Sequence, residues 1–356
     1  MITDKITIPK SDLVEKFYNK PFKFSYSSLN KLLYSPISFY NWYVLNERED
    51  ALESYFIEGK AIHCLLLEQE KFDKQFIVTP GNLPTATSKK VVEAMYKVWK
   101  TNSDQPTTKL KDYSKHILSW LVEDNTFQNL ANDKDLTKEG AKTGDEKRLA
   151  KILTTSCFDY FSYLQSSGDR DVMDQETYDR CLEGVNAVRD DKSIMELLSL
   201  GDSSFELLEV HNELPLEMEL KDQPFGLKGI IDNLVIDYEN KEVRINDVKT
   251  TSKSLNEFES SLEYYKYWMQ AAIYLKLAIA FVQKELGKEQ SLKEWNIKFH
   301  FIVLDRYNNV YAFPVSNESM LDWQARLKEI IKKANYHYTK RDYKLPYEFA
   351  LGQVKL

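Results

Sequence analysis

Hydrophobic and polar positions change period several times along the chain. Residues 26–75 carry helical spacing. SYSSLNKLLYSPISFYNWYVL opens on serines suited to capping a helix N-terminus, and Pro36 can begin a second helix. IEGKAIHCLLLEQEKF reads as a further helix, and FIVTPGNLPTATS (76–88) as a short strand with a loop. Residues 89–200 predict mostly helix, interrupted by the polar stretch NDKDLTKEGAKTGDEK. From 205 to 250 the pattern turns β-branched: SFELLEVHNEL, then the hairpin KGIIDNLVIDYENKEVRINDVKTT. A long helix is predicted over 256–287, closed by Gly287. The strands WNIKFHFIVLD and NNVYAFPVS and a last helix near 317–338 follow. This order predicts an α/β fold with a mixed central β-sheet flanked by helices. No Pro/Gly/Ser-rich linker sets 89–200 apart, so it reads as a helical insert or lobe within one domain, 1–356. The sheet and its long helix fall in 205–315.

Composition narrows the class. With 356 residues, 43% hydrophobic, 22 Tyr and 18 Phe, the chain can bury a sizeable core. Mean hydropathy is −0.49 and no apolar run reaches membrane-span length, so no membrane association is expected. The N-terminus has no apolar secretory stretch, which makes the cytoplasm the expected location. Three isolated cysteines and no CxxC argue against disulfides, structural zinc or an iron–sulfur cluster. A net charge of −7 argues against coating nucleic acid non-specifically. It leaves room for a nucleic-acid enzyme with one basic groove.

The hairpin raises the chemical question. Asp247 and Lys249 are two apart, so on a strand they share a face. A two-residue turn at Asn240-Lys241 would put Asp232 directly opposite Lys249, with Asp247 on the diagonal. A one-residue slip would scatter the three. Two carboxylates this close repel unless a cation lies between them, and hard oxygen donors select Mg²⁺ or Mn²⁺. With a lysine beside them, the set suits phosphodiester hydrolysis. The plainer alternative is a solvated face with a cross-strand ion pair. Against it, few strands as apolar as GIIDNLVI tolerate an unpartnered aspartate.

Asp232 followed by Asp247-Val248-Lys249 resembles the PD-(D/E)xK nuclease pattern. Gly59-Lys60-Ala61-Ile62-His63 resembles the G-x-x-x-H element of its RecB-type and RecE-type branches. Tyr267-Trp268-Met269-Gln270-Ala271-Ala272-Ile273-Tyr274 resembles their Q-x-x-x-Y helix, and SYSSLNKLLYSPISFY their first helix pair. EGKAIHCLLLE, GLKGIIDNLV, NDVKTT and YKYWMQAAIYL follow the order of the RecE-like (exonuclease VIII) phage and prophage group. The likeness runs from about residue 26 to 315, with the helical insert matching loosely. Ser35 stands where relatives with an iron–sulfur cluster carry a cysteine, which agrees with the absence of C-terminal cysteines. No GxxxxGK[ST] motif is present, so any unwinding falls to a partner.

The resemblance implies a Mg²⁺-dependent exodeoxyribonuclease, with Mn²⁺ able to substitute and no iron–sulfur cluster. His63, Asp232, Asp247 and the Val248 carbonyl would hold the metal. Lys249 would position or activate water, Gln270, Tyr274 and Tyr267 would line the channel, and Thr250 and Thr251 would shape the strand end. An additional acidic ligand is either Glu209 or Glu213. Also implied are 5′→3′ digestion of linear double-stranded DNA, a single-strand annealing partner, a role in phage DNA recombination within the bacterial cytoplasm, and a homo-oligomeric ring. Lys253, Lys89, Lys90, Lys97, Lys100 and the KKANYHYTKRDYK tail are candidates for DNA contact. Alternatives remain open from the residues themselves. His63 could be a core histidine, the Q-x-x-x-Y helix an ordinary amphipathic helix, and the lysines solvated helix faces. Rival functions are a single-strand or structure-specific endonuclease, a restriction-like defence enzyme, a non-catalytic DNA-binding or assembly protein, and a helical scaffold.

Overall fold

The computed structural model describes residues 10–47, 54–79, 83–101, 153–200, 207–287 and 291–354. The polar break expected at 132–147 and the first nine residues lie outside them. The chain divides into two compact units, residues 1–69 with 182–356, and residues 70–181.

The larger unit is built on a mixed sheet of six strands: β1 (Lys23–Phe24), β4 (Leu208–Glu219), β5 (Gly226–Asp237), β6 (Glu242–Thr251), β7 (Asn296–Asp305) and β8 (Val310–Pro314). β4, β5 and β6 form an antiparallel meander, β6 pairs β7 in parallel, and β8 closes the edge antiparallel to β7. β1 pairs in parallel with the start of β5. Pro215, which lacks an N–H, is tolerated because β4 pairs only with β5 along its length.

The helices of this unit begin where the sequence places caps. α1 spans Lys10–Tyr18. Ser25 caps α2 (Tyr26–Tyr34) in a reciprocal box with Ser28. Ser35 caps α3 (Pro36–Phe39), with Pro36 in its first turn. α4 is Ser54–Leu67. The smaller unit holds α5 (Phe72–Gln75), α6 (Ala86–Thr101) and α7 (Thr155–Ser167), with a parallel pair β2 (Phe76–Val78) and β3 (Asp171–Met173). β3 was not foreseen within the helical stretch. Its three residues are too few for periodicity to register. Its core comprises Val91, Val92, Met95, Cys157, Tyr160, Phe161 and Leu164. Then follow α8 (Gln175–Asp190) and α9 (Lys192–Leu198), capped by Asp191.

The helix expected over 256–287 is broken. α10 (Phe258–Tyr264) ends, Lys266 takes a left-handed conformation at φ 59°, and α11 (Tyr267–Leu286) begins there. Two tertiary contacts hold the break: the Tyr26 hydroxyl donates to the Tyr265 carbonyl, and Lys266 Nζ reaches Asn30 Oδ1 at 3.4 Å. α11 buries residues around most of its circumference, between the sheet and α12 (Asn317–Lys340). Phe299, Phe301, Ile245 and Leu234 form the sheet side of this core and are almost fully buried, each contributing about 1.5–3 kcal/mol. A short α13 (Tyr347–Ala350) follows. Among the described residues no helix is long and apolar enough to cross a membrane.

The hairpin register differs from expectation. Asp237 pairs with Glu242, so the loop is Tyr238–Lys241, two residues longer than the predicted turn. The Asp237 carboxylate causes this by accepting from both Asn240 N and Asn240 Nδ2 at 2.9 Å, while Lys241 turns left-handed at φ 49°. The ladder's last pair is Asn233 with Asn246. One step further puts Asp232 opposite Asp247, with Lys249 on the diagonal. The shift is even, so Asp247 and Lys249 keep their common face and Asp232 still meets them at the end of the ladder.

On the other face, paired positions of four strands carry Asn212, Asn233, Asn246 and His300. His300 Nδ1 lies 3.0 Å from Asn246 Oδ1, Asn246 Nδ2 donates to Asn233 Oδ1 at 2.7 Å, and Asn233 Nδ2 donates to Asn212 Oδ1 at 2.8 Å. The remaining amide protons go to the C-terminal ends of two helices. Asn246 donates to the Leu197 carbonyl, Asn233 to Leu198 and Asn212 to Leu67. The row thus fastens the ends of α4 and α9 to the middle of the sheet and satisfies carbonyls those ends leave open.

Candidate active site

α4 brings a histidine to the sheet by close approach. A Cβ on Gly59 would sit 3.3 Å from Thr250 Oγ1. One helical turn later, His63 Nε2 is 3.0 Å from the Val248 carbonyl. Four helical residues advance about 6 Å and two strand residues about 6.6 Å, so the two contacts keep step. His63 Nδ1 faces Glu213 Oε1 at 3.3 Å and Asp232 Oδ2 at 3.8 Å. Donor atoms of His63, Glu213 and Asp232 all lie within 4.8 Å of one another.

Glu213 answers the choice left open by the sequence. It stands across from Asp232 at a gap in the β4–β5 ladder, with its backbone left-handed at φ 47°. Such a conformation is uncommon for a non-glycine residue and disrupts side-chain alternation. His211 and Leu214, three apart, consequently both pack on the α11 side, His211 edge-on to Phe281. Glu209 is engaged elsewhere, 3.0 Å from His211 Nε2 and accepting from the Tyr238 hydroxyl at 2.8 Å.

Asp232 Oδ2 accepts the Val248 N–H at 2.7 Å. Asp247 is fully buried with Lys249 Nζ against its Oδ2, yet neither of its oxygens accepts a well-aligned hydrogen bond. Burial raises the pKa of Asp247 to about 6, with Lys249 opposing and Asp232 reinforcing the shift. Burial also raises Asp232, against the pull of His63 and Lys249. Burial alone would lower the pKa values of His63 and Lys249. For His63 the carboxylates of Asp232 and Glu213 outweigh it, and for Lys249 those of Asp247 and Asp232, so both are raised.

These residues fit a hard divalent cation. The donors are carboxylates, a peptide carbonyl and one imidazole, and Asp247 Oδ1 is buried without the partner that such an atom ordinarily requires. Of the expected ligands, His63, Asp232 and the Val248 carbonyl meet directly. Asp247 adjoins through Lys249 and its charge interactions with Asp232 and His63. Glu213 joins them.

The α11 residues line the same region. Gln270 Nε2 donates to the Tyr274 hydroxyl at 2.9 Å. Burial, then the charges of Asp232 and Asp247, raise the Tyr274 pKa. Its ring fits against β5 because residue 229 is glycine: a Cβ there would lie 2.8 Å from Tyr274 Cε1. The Tyr267 ring centroid is 5.3 Å from Lys249 Nζ. Thr251 Oγ1 accepts the Lys253 N–H at 3.1 Å at the end of β6. Lys89, Lys90, Lys97 and Lys100 lie on α6 in the other unit, where Lys89 sits over the Tyr160 ring and Lys100 pairs with Asp169. In the 332–344 tail, Tyr338 and Tyr343 are buried core residues, and Tyr343 shares a hydroxyl contact of 2.7 Å with Tyr18.

Residues 170–344 match the model of the PD-(D/E)XK nuclease superfamily. The match takes in Glu213, Asp232, Asp247, Lys249, Gln270 and Tyr274, while His63 precedes it. Among solved structures, a candidate exonuclease from Eubacterium rectale is similar at 10% identity and a TM-score of 0.40, over 100% of this chain and 88% of that one. A search of curated proteins gives no match.

Proposed function

We propose that the chain is a metal-dependent DNA exonuclease of the RecE-like kind, acting on ends of linear double-stranded DNA in the 5′→3′ direction. The observation that carries this reading is Asp247, a buried carboxylate paired with Lys249 through Oδ2 and unpartnered at Oδ1, beside the cluster of His63, Glu213 and Asp232. These four side chains and the Val248 carbonyl would hold Mg²⁺, or Mn²⁺ in its place. The cation would neutralise charge gathering on the phosphoryl oxygens and make water more acidic. Lys249 would donate to the water or to a phosphoryl oxygen as one P–O bond forms and another breaks, the departing oxygen gaining a proton. Gln270 and Tyr274 would hold the strand in line. Order and spacing of the motifs support the finer points: 3′ single strands as product for an annealing partner in recombination, a ring of like subunits, a cytoplasmic setting, and no iron–sulfur cluster.

The test incubates the protein with linear and covalently closed double-stranded DNA, with Mg²⁺ or EDTA, beside Lys249→Ala. Loss of linear DNA alone, requiring both metal and Lys249, is the expected result, and end-labelling then sets polarity. Cutting of closed circles would replace this reading with an endonuclease. No cleavage by the folded protein would point to a binding or assembly role.

A further inference from the structure

The break between α10 and α11 leaves a run of tyrosines with an unusual exposure gradient. Tyr264 is 75% exposed and Tyr265 42%. Their rings meet edge to face at 4.9 Å. Tyr265 stacks on Tyr267 at 5.4 Å and 28°. Tyr267 in turn covers Lys249. The rings therefore form an unbroken series from solvent to the lysine of the candidate site. The backbone is fixed in this shape at a cost. Lys266 is left-handed at φ 59°, a conformation uncommon for a residue with a Cβ. The Tyr26 hydroxyl and Asn30 secure it. Glu263, next in sequence to Tyr264, is neutralised by Arg326 through contacts of 3.0 and 2.9 Å.

Exposed rings leading to a phosphate-cleaving centre match the chemistry of an unpaired nucleobase, which offers a flat π-face whatever its identity. We propose that Tyr264 and Tyr265 are a stacking platform for unpaired bases of the strand whose phosphate lies at Lys249. This rests on the nuclease reading above and adds the form of the substrate: the strand enters the site single-stranded, so a duplex end is frayed before it is cut. Recognition is independent of sequence, since stacking reads no hydrogen-bonding edge.

The test measures fluorescence anisotropy with a labelled single-stranded oligonucleotide and an abasic oligomer of equal length, which keeps the phosphates and lacks the bases. Ca²⁺ replaces Mg²⁺, and the absence of cleavage is checked by gel. Wild-type protein should bind the base-bearing strand about tenfold or more tightly than the abasic one. The pair Tyr264→Ala/Tyr265→Ala should lose that preference, and Tyr264→Phe/Tyr265→Phe should retain it. Equal wild-type affinity for both oligomers, or a preference untouched in the alanine pair, overturns the platform even if the enzyme cuts DNA. Failure of wild type to bind either oligomer and to cut linear DNA overturns the platform and the nuclease reading together.

Discussion

The Asp232 carboxylate takes the N–H of Val248 at 2.7 Å, while the carbonyl of that same residue faces His63 Nε2 at 3.0 Å. Both backbone groups of Val248 are thus drawn out of the β5–β6 ladder and into the site. Asp232→Ala should leave the buried Val248 N–H unpaired and cost about 1–3 kcal/mol in addition to abolishing activity. Asp232→Asn retains an acceptor oxygen. It should melt near wild type while cleavage falls by about a hundredfold or more. Thermal melts beside cleavage assays separate the two, and equal destabilisation by both variants would contradict this role for the carboxylate.

Metal binding should be visible without DNA. At about a hundred times its dissociation constant, Mg²⁺ or Mn²⁺ would add about 2.7 kcal/mol to stability, a rise of several degrees in Tm. Glu213→Gln should abolish most of that rise, and Glu209→Gln should not, since Glu209 is turned to His211 and Tyr238. Calorimetric titration of both variants checks the assignment, which fails if they respond alike.

Gly229 is where the helix of Gln270 and Tyr274 touches β5. Gly229→Ala would drive a methyl group into the Tyr274 ring and within 3.2 Å of Leu277 Cδ1. A loss of about 1–3 kcal/mol is expected. Combined with Tyr274→Ala, the penalty should largely vanish, because the ring that clashes is gone. A double-mutant cycle in urea measures the coupling, and additive losses would show that the ring is not what excludes a side chain at 229.

His300 gives stability a dependence on pH. Burial first, then Lys298 and Arg244, lowers its pKa to about 4 from the ordinary 6.5. Between those values the unfolded chain binds the proton and the folded one does not, so stability is full above about pH 6.5 and is lost as pH falls toward 4. The loss is on the order of 3 kcal/mol. His300→Gln should flatten that part of the stability profile in denaturant titrations between pH 7 and 4, and an unchanged slope would assign the dependence to other groups.

The sequence carried the strands, caps and helices of the sheet region because each has a strong period or a stop residue. It also named Asp232, Asp247, Lys249, His63, Gln270 and Tyr274, which the fold brings to one region. Glu213 could not be chosen from ELLEVHNEL. What places it is a left-handed backbone angle, and NEL contains no glycine to announce one. The break at Lys266 was equally silent, because its causes, Tyr26 and Asn30, lie more than two hundred residues away. The tail tyrosines resembled a binding surface since charge alternates with aromatics there, but helical spacing turns Tyr338 into the core.

The row of three asparagines and one histidine bears on a more general ambiguity. Sliding β5 against β6 by two residues preserves every inside and outside position, so burial of apolar surface barely distinguishes the sliding from the true alignment. The even discrepancy between the expected and observed hairpin is an instance of it. The amides do distinguish the two. Asn233 and Asn246 each give one proton to the next strand and another to a helix end, so displacing β5 against β6 by two would strand the Asn246 donor, the Asn233 acceptor and a carbonyl at the end of α9 at once. The row acts as a vernier on the sheet. It fixes to one residue an alignment that hydrophobicity fixes only to two, and with it the meeting of Asp232 with Asp247.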